Sequence, residues 1–273
     1  IILNVGGGIT PSIMWSGPNG SSAPAGITSG FTASTFTIGG IPTQDGTYTY
    51  TVITNGCTPQ SQLTGTIQVD GLPTGTAGGS KVICQDSYYT LQNGEASKTN
   101  GSVLWTHNGT GAINNPTTVT PTYTANNIDA GNIVTLTMTV TSTNSCVNQT
   151  ASATYTIIVD ALPQVNVVGS VSVCKGSSHT LPVGAATLSN GSIQWAHNGL
   201  GNLSNGNTLT PTYNSAVNEP GSTITLTLTV ASNNTCTTSA TGIVRDTYSI
   251  KVDSTPVAVA GGSSTICQNA SFT

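Results

Sequence analysis

Charged side chains are scarce in this sequence. Asp, Glu, Lys and Arg together make up 5% of the 273 residues, against roughly 25% in ordinary soluble proteins. Five Lys and Arg residues cannot build the basic patch that nucleic-acid binding requires. A formal net charge of −4 is also too small to attract a cationic partner over a distance. The sequence therefore predicts that nucleic acid is not a partner.

Long apolar runs and helical periodicity are missing as well. No apolar run approaches the roughly 18 residues that a membrane-spanning helix needs, so we expect no membrane insertion within these residues. No segment repeats its apolar residues at the helical spacing. We expect one helical turn at most, at residues 127–131, in front of a long strand.

The residues of catalytic and metal sites are also few. The three histidines are His107, His179 and His197, and no acidic residue recurs beside them in the way that a hydrolytic triad requires. No Cys-x-x-Cys pair is present, although zinc sites of the Cys/His type need such close ligand pairs. The sequence predicts no catalytic residues, no bound cofactor and no enzyme activity.

The sequence does contain an internal repeat, in which one pattern of residues occurs twice in full. Its elements recur ninety residues apart, except for the last, which recurs after ninety-three: Cys84 and Cys174, Trp105 and Trp195, Pro121 and Pro211, Cys146 and Cys236, Asp160 and Asp253. A third copy begins at Ser263-Ser264-Thr265-Ile266-Cys267-Gln268. Self-similarity at a fixed period predicts a tandem array of one folding unit.

The repeat boundaries follow three aspartates, Asp70, Asp160 and Asp253, each followed by a proline three positions later. Such linkers are short and restricted in φ. We predict an N-terminally truncated β-sandwich repeat at 1–70, complete repeats at 71–160 and 161–253, and the first strand or strands of a further truncated repeat at 254–273. We interpret the chain as a piece of a longer polypeptide.

Alternation of apolar residues with threonine predicts the strands. In 133–141 and 224–230 the period of two places Val134, Leu136, Met138 and Val140 on a buried face. The Asn-Gly pairs after His107 and His197 predict tight hairpins. Short strands with one tryptophan per unit predict an all-β fold, in which tandem immunoglobulin-like or PKD-like antiparallel β-sandwiches form an elongated array. Trp15, Trp105 and Trp195 are the expected core residues.

The cysteine spacing leaves several disulfide pairings open. Cys84 and Cys146 lie 62 residues apart, as do Cys174 and Cys236, so we predict one bridge inside each complete repeat. Cys57 and Cys267 are then unpaired in this chain. A Cys57–Cys84 bridge and free buried thiols are the alternatives. Disulfides predict an oxidising location outside the cytoplasm.

Two further features of the repeats each have two interpretations. Asp70, Asp160 and Asp253 could bind Ca²⁺ at the junctions, but one carboxylate per junction is few for an ion that prefers six to eight oxygen ligands. The alternative is that they form turns at strand ends. Trp105 and Trp195 could stack on sugars or fill the core, and the alternation favours the core.

The repeats resemble those of giant cell-surface adhesins of Bacteroidota, the SprB-like gliding-motility adhesins. The resemblance rests on four motifs of the 71–160 repeat and on one pattern of the first repeat: Gly78-Gly79-Ser80 with Ile83-Cys84-Gln85, Trp105-Thr106 with Gly109-Thr110-Gly111, Thr120-Pro121-Thr122-Tyr123-Thr124, Val134-Thr135-Leu136-Thr137-Met138-Thr139-Val140, and Gly39-Gly40-Ile41-Pro42-Thr43-Gln44-Asp45-Gly46-Thr47-Tyr48. It implies export by the type IX system and a filament on the bacterial cell surface, anchored in the outer membrane by other regions. The implied partners are an extracellular surface or polysaccharide and the motility or secretion machinery of the cell surface.

Three functional hypotheses follow. The first is a structural and adhesive filament that carries tension. The second is a row of spacer repeats inside a large secreted enzyme, whose chemistry would lie in another domain. The third is an array of glycan-binding modules, which would need a row of exposed aromatic side chains.

Overall fold

The sequence patterns that predict strands correspond to strands in the structure, which is a computed structural model. It describes residues 1–6, 10–32, 34–56, 58–219, 221–238, 242–254, 256–259 and 261–271. These residues hold twenty-four β-strands and two short 3₁₀ turns, Asn127–Asp129 and Thr235–Thr238. The predicted all-β fold is confirmed. The first turn lies at the position where the sequence predicts one. No helix in the described ranges is long and apolar enough to cross a bilayer.

The first seventy residues form two three-stranded sheets, in the orders β1-β4-β3 and β2-β5-β6. Trp15, Tyr48 and Phe36 are among the buried residues between them. The strands are β1 (Ile2–Asn4), β2 (Ser12–Ser16), β3 (Ile27–Thr32), β4 (Thr35–Gly40), β5 (Gly46–Ile53) and β6 (Gln62–Val69).

The second segment contains a four-stranded sheet, in the order β11-β14-β15-β8, with a two-stranded sheet β10-β7 and a three-stranded sheet β12-β13-β9. Its strands are β7 (Thr74–Ala77), β8 (Ser80–Cys84), β9 (Tyr88–Thr90), β10 (Ala96–Thr99), β11 (Gly101–His107), β12 (Ala112–Asn114), β13 (Thr122–Thr124), β14 (Ile133–Ser142) and β15 (Thr150–Asp160).

The third segment repeats this topology strand for strand. Its sheets have the orders β17-β24-β23-β20, β16-β19 and β18-β22-β21. The strands are β16 (Gln164–Val167), β17 (Ser170–Cys174), β18 (Ser178–Thr180), β19 (Ala186–Ser189), β20 (Gly191–His197), β21 (Asn202–Ser204), β22 (Thr212–Asn214), β23 (Thr223–Ser232) and β24 (Ile243–Asp253).

Within the described residues each sheet takes its strands from one of these three segments. The chain also divides into two compact units. The first unit comprises 1–81, 88–124 and 133–157, and the second comprises 82–87, 125–132 and 158–273. This division runs through the second segment, so the four predicted domain ranges stay predictions.

The long strands follow the period-two pattern that the sequence predicts. On β14 the side chains of Val134, Leu136, Met138 and Val140 are at most 1% exposed. The threonines between them are half-buried, because they lie on the outer face of a central strand with a neighbour on each side. The alternation therefore fixes which face of the strand packs into the core.

All three tryptophans lie in the core. Trp105 and Trp195 are each 2% exposed, and Trp15 is 9% exposed. The indole N–H groups of two of them are paired: Trp105 Nε1 donates to the Thr118 carbonyl at 2.9 Å, and Trp195 Nε1 donates to the Thr208 carbonyl at 3.0 Å. Burial of these rings leaves them unavailable for stacking on a sugar.

The opening strand of each complete repeat changes sheets at a glycine. In the third segment β16 pairs with β19 in one sheet, and β17 then pairs in parallel with β24 in the other sheet. Gly169, between β16 and β17, has a φ of 104°, and Gly79 in the second segment has a φ of 116°. Only glycine adopts this backbone region freely. Among the strand pairs described for the third segment, β17–β24 is parallel and the others are antiparallel.

The Asn-Gly pairs do not form the predicted hairpins, so that prediction is wrong. β11 pairs with β14, and β12 pairs with β13. Asn108 instead accepts a hydrogen bond from the Thr135 N–H at 2.7 Å. Glycine is needed at the next position because a Cβ on Gly109 would lie 2.2 Å from the Tyr123 hydroxyl oxygen. The Asn-Gly pair is therefore needed for close packing. The same two residues are also typical of hairpin turns, so the sequence does not distinguish the two uses.

Candidate functional site: the repeat junctions

The first junction lies where Asp70 meets the loop between β14 and β15. The Asp70 carboxylate accepts hydrogen bonds from the Ser145 backbone N–H at 3.0 Å and from the Ser145 hydroxyl at 2.6 Å. The Asn144 amide donates to the Gly71 carbonyl at 2.8 Å. These bonds join residues more than seventy positions apart, so they tie the end of one repeat to the next.

The second junction has the same arrangement around Asp160. Its carboxylate accepts from the Thr235 backbone N–H at 2.9 Å and from the Thr235 hydroxyl at 2.7 Å. Asn234 donates to the Ala161 carbonyl at 2.9 Å. The two junctions therefore use equivalent residues ninety positions apart, with serine and threonine as interchangeable donors.

The loop that meets each aspartate is shaped by its own asparagine. The Asn144 side-chain oxygen accepts from the Ser142 hydroxyl at 2.7 Å and from the Cys146 N–H at 3.0 Å. Asn234 makes the equivalent bonds with Ser232 and Cys236, at 2.7 and 2.9 Å. The asparagine thus fixes the position of the cysteine two residues later.

A disulfide crosses the second junction and joins Cys84 to Cys236. The S–S distance is 2.08 Å and the Cα atoms are 4.9 Å apart, which is within the normal range for a disulfide. Cys84 ends β8, and the next residue, Gln85, donates its N–H to the Asp160 carbonyl at 2.9 Å. The crosslink spans 152 residues and links one repeat to the following one.

The predicted bridges Cys84–Cys146 and Cys174–Cys236 are therefore wrong. In the third segment Cys174 lies opposite Asp253, at the end of β24, whereas Cys236 precedes the start of that strand at Ile243. β24 has eleven residues, and its ten steps of about 3.3 Å separate the two ends by roughly 33 Å. Disulfide geometry requires Cα atoms within about 7 Å. The first cysteine of a repeat faces the next repeat instead, because its strand runs parallel to the last one.

Three further cysteines are free thiols in the described part of the chain: Cys146 is half-buried, and Cys174 and Cys267 are exposed. The Cys146 sulfur lies 3.4 Å from the Asp70 carbonyl oxygen, as the Cys236 sulfur lies 3.6 Å from that of Asp160. Cys57 lies outside the described residues, so its predicted unpaired state stays a prediction. The Cys57–Cys84 alternative is wrong, because Cys84 is bonded to Cys236.

The carboxylates of Asp70 and Asp160 act as hydrogen-bond acceptors. The side-chain and backbone hydrogen bonds from Ser145 lower the pKa of Asp70. Asp45 and Asp70 both line an open cleft of about 470 Å³ beside this junction. No group of three or more His, Cys, Asp and Glu side chains suited to a metal ion occurs in the ranges that the structure describes. The calcium hypothesis therefore gains no support from the geometry.

Two buried carboxylates, Asp129 and Glu219, recur ninety residues apart and were not singled out from the sequence. They are 3% and 0% exposed. Glu219 accepts hydrogen bonds from the Leu200 N–H at 2.7 Å, the Tyr213 hydroxyl at 2.9 Å and the Ala216 N–H at 3.1 Å. The sequence does carry an acidic residue at the same position of both repeats. The recurrence is easily missed because the residue is Asp in one repeat and Glu in the other.

This finding corrects the expectation that no acid recurs near the histidines. His197 packs edge-on against the Tyr213 ring, with centroids 5.2 Å apart, and the Tyr213 hydroxyl then donates to Glu219. The Nδ1 atoms of His107 and His197 are buried and have no hydrogen-bond partner in the described residues. The contacts described for His197 and Glu219 both go to Tyr213, and they do not include the histidine–carboxylate hydrogen bond that a triad requires.

Comparison with known proteins defines the fold of the chain. No family model matches it, and no curated protein matches it significantly. It is similar to the I67–I69 fragment of the titin I-band, with 15% identity, coverage of 92% of this chain and 91% of that chain, and a TM-score of 0.52. A three-immunoglobulin-domain structure of an E-to-A variant of the same titin domains matches with 14% identity, the same coverage and a TM-score of 0.54. Domains EC22–24 of mouse cadherin-23 match with 14% identity, coverage of 89% and 86%, and a TM-score of 0.46.

The two titin matches show the fold alone: the chain consists of tandem immunoglobulin-like β-sandwiches. This confirms the fold class expected from the strand patterns and from the period of ninety residues.

Proposed function

We propose that this chain is a structural and adhesive repeat segment of a long extracellular filament. The observation that carries the proposal is the Cys84–Cys236 disulfide, which links one repeat covalently to the next. A crosslink at that position resists separation of neighbouring repeats, which is useful in a protein that transmits tension. It also supports an extracellular location, since disulfides persist in oxidising compartments.

The finer part of the proposal is a gliding-motility adhesin at the surface of a bacterial cell, exported by the type IX system and anchored in the outer membrane through other regions. Its support is the resemblance of the repeat motifs around Cys84, Trp105 and Pro121. Its partners would be an extracellular surface or polysaccharide and the motility or secretion machinery. The role assigned to the chain is non-enzymatic.

The spacer alternative predicts the same resistance to tension without adhesion. The glycan-binding alternative is disfavoured by burial of Trp15, Trp105 and Trp195. One aromatic side chain in the described residues, Tyr88, is largely exposed, at 69%. A single exposed ring does not make the row of stacking platforms that this alternative requires.

The test is the retention of beads coated with this chain on glass and on agarose under increasing flow. We expect more beads to be retained than in a control coated with the same density of the titin I67–I69 fragment, which has a similar fold. Retention equal to that control would contradict the adhesive part and favour the spacer alternative. A Cys84→Ser/Cys236→Ser variant on the same beads separates adhesion from mechanical strength, because it alters the crosslink alone.

A further inference from the structure

An open cleft of about 610 Å³ lies beside β20, the tryptophan strand of the third segment. Four of the side chains that line it are amides, those of Gln194, Asn202, Asn205 and Asn207. Leu203 is the one aliphatic side chain among the described residues of the lining, and none of these residues is Asp, Glu, Lys or Arg. The volume suits a small ligand, and a charged ligand would find no counter-charge in the lining at neutral pH.

Trp195 anchors the loop that forms one wall of this cleft. Its backbone N–H donates to the Gly206 carbonyl at 2.7 Å, and its Nε1 donates to the Thr208 carbonyl at 3.0 Å. Thr208 in turn donates twice to the Asn205 carbonyl, through its N–H at 3.0 Å and through its hydroxyl at 2.9 Å. The wall is therefore ordered before any ligand arrives, so binding loses little entropy in fixing it.

The amide groups of the cleft keep most of their hydrogen-bonding capacity free. The side chains of Asn202, Asn205 and Asn207 are exposed and make no hydrogen bond to another residue in the ranges that the structure describes. Gln194 uses one amide donor, on the Trp195 carbonyl at 3.1 Å. Each primary amide has two N–H donors and one carbonyl acceptor. The cleft thus presents neutral donors and acceptors side by side.

The second segment has the same frame but a different lining. The Trp105 N–H donates to the Pro116 carbonyl at 2.8 Å, and Trp105 Nε1 donates to the Thr118 carbonyl at 2.9 Å. Thr118 again donates twice to the carbonyl of the turn residue, Asn115, at 3.1 and 3.0 Å. The residues ninety positions before Gln194, Asn202 and Asn207 are Leu104, Ala112 and Thr117. The frame forms without these three amides, so folding of the loop does not explain their presence.

We propose that this cleft binds a neutral saccharide through the amides of Gln194, Asn202 and Asn207. A sugar hydroxyl both donates and accepts a hydrogen bond, and two neighbouring hydroxyls match the adjacent donor and acceptor of a primary amide. Leu203 offers an apolar contact to the C–H groups of a sugar ring. The inference rests on the proposed function, because it specifies the polysaccharide named there as a partner.

The lining favours a saccharide over a peptide. An extended peptide is recognised through pairing with a sheet edge and through pockets for alternate side chains, whereas one aliphatic side chain lines this cleft. The site also differs from the array of stacking modules considered above. It belongs to a single segment and uses amides, so burial of the Trp195 ring does not prevent binding.

The first experiment titrates the whole chain, labelled with ¹⁵N, separately with cellotetraose, maltotetraose and neoagarotetraose. We expect at least one of these neutral sugars to cause saturable shifts in the side-chain amide signals of Gln194, Asn202 and Asn207. The signals of amides outside the cleft, such as Asn166 and Asn233, should stay in place. No saturable shift with any of the three sugars, or shifts centred on another part of the chain, would overturn the proposal.

The second experiment replaces the amides by the residues of the second segment. Gln194→Leu/Asn202→Ala/Asn207→Thr should bind the same sugar at least tenfold more weakly and keep the circular dichroism spectrum of the parent, because the same frame carries these residues in the second segment. Asn233→Thr is the matched control: it also introduces a second-segment residue, and Asn233 is exposed and outside the lining.

The control should bind as the parent does. Equal binding by the triple variant, or equal weakening by the control, would refute the assignment. If the triple variant loses the parent spectrum, Asn207→Thr alone decides the matter: we expect at least threefold weaker binding, and an unchanged affinity would refute the role of that amide.

The class of ligand is tested with two further probes. Tetragalacturonate, a sugar that carries carboxylates, should bind at least tenfold more weakly than the neutral sugar, because no cationic Lys or Arg lies among the described lining residues. An unstructured Gly-Ser peptide of similar mass should not bind. Tighter binding of either probe than of the neutral sugar would overturn the ligand class.

Beads coated with the triple variant separate this inference from the proposed function. We expect them to be retained on agarose less than beads coated with the parent chain. Equal retention of variant and parent beads, both above the titin control, would overturn the cleft as the adhesive site and leave adhesion standing. Parent beads retained no better than the titin control would contradict adhesion, while the solution titration would still decide whether the cleft binds a sugar.

Discussion

At the scale of single residues, the repeats conserve roles more strictly than identities. Asp129 and Glu219 hold the same buried position, and Ser145 and Thr235 donate to the same junction carboxylate in successive repeats. Burial makes such groups costly unless they are hydrogen-bonded. Each substitution therefore keeps an acid or a hydroxyl at the point where the donors converge.

The buried carboxylate predicts an acid-dependent stability. Burial alone would raise the pKa of Glu219, but hydrogen bonds from the Leu200 N–H, the Tyr213 hydroxyl and the Ala216 N–H outweigh it and lower the pKa. A pKa lowered by folding stabilises the protein above the unfolded value of about 4.5, and the gain is lost as pH falls through the folded pKa. We expect Glu219→Gln to cost about 1–3 kcal/mol at pH 7, and less at pH 3.

Urea unfolding at the two pH values, followed by tryptophan fluorescence, measures this difference. Asp86→Asn is the matched control, because Asp86 is exposed and Asn occupies the same backbone conformation at position 269. The control should change the free energy of unfolding little at either pH. A cost of Glu219→Gln that does not change with pH would contradict the assignment of an ionised carboxylate.

The close packing around the second Asn-Gly pair predicts that a side chain at its glycine, Gly199, destabilises the fold. A Cβ on Gly199 would lie 2.0 Å from the Tyr213 hydroxyl oxygen, whereas a Cβ on Gly206 would meet its nearest atom at 3.5 Å. We expect Gly199→Ala to lower the free energy of unfolding by about 1–3 kcal/mol through overpacking. Gly206→Ala should change it by less than about 1 kcal/mol. Thermal unfolding monitored by circular dichroism compares the two, and equal effects would refute the packing explanation.

At the scale of strands, the sequence predicted the central strands well and the first strand of each repeat poorly. Apolar residues recur at every second position in β14, in β23 and in the strands that contain the tryptophans, and this period predicts a strand. The change of sheets at Gly79 and Gly169 left no such signal, because four- and five-residue strands are too short to show periodicity. Parallel pairing of β17 with β24 followed from that change and was missed with it.

Two adjacent glycines test the change of sheets. Gly79 has a φ of 116°, and a Cβ there would lie 3.2 Å from Tyr155, whereas Gly78 has ordinary backbone angles and open space. We expect Gly79→Ala to destabilise by about 1–3 kcal/mol through backbone strain and to speed hydrogen exchange in β8. Gly78→Ala should do neither. Faster exchange in both variants would show that the turn tolerates no side chain for another reason.

At the scale of the whole chain, the sequence singled out Asp70 and Asp160 but not the residues that contact them, Ser145 and Thr235, and it paired the cysteines wrongly. Equal spacing of 62 residues suggested a bridge within each repeat. The direction of the first strand decides against that pairing, because it carries its cysteine to the end that faces the next repeat. Spacing along a sequence does not reveal strand direction, so the pairing required the structure.

The disulfide between repeats predicts a large effect of reduction. Closing a loop of 152 residues stabilises the folded state by about 2–5 kcal/mol in the chain-entropy account. We expect Cys84→Ser/Cys236→Ser to lower the unfolding temperature of the chain measured by calorimetry. Cys174→Ser, which removes a free thiol, should leave that temperature unchanged. An unchanged unfolding temperature in the double variant would show that the crosslink contributes no stability.

The disulfide between Cys84 and Cys236 provides a covalent path for a pulling force that bypasses the residues between them. A load applied at the two ends of the polypeptide passes through the sulfur atoms, so the 152 peptide bonds between Cys84 and Cys236 bear none of it. At about 3.6 Å per residue, some 500 Å of contour is withheld from stretching until the bond is reduced. The residues between the two cysteines can therefore extend under load only after the disulfide has been reduced.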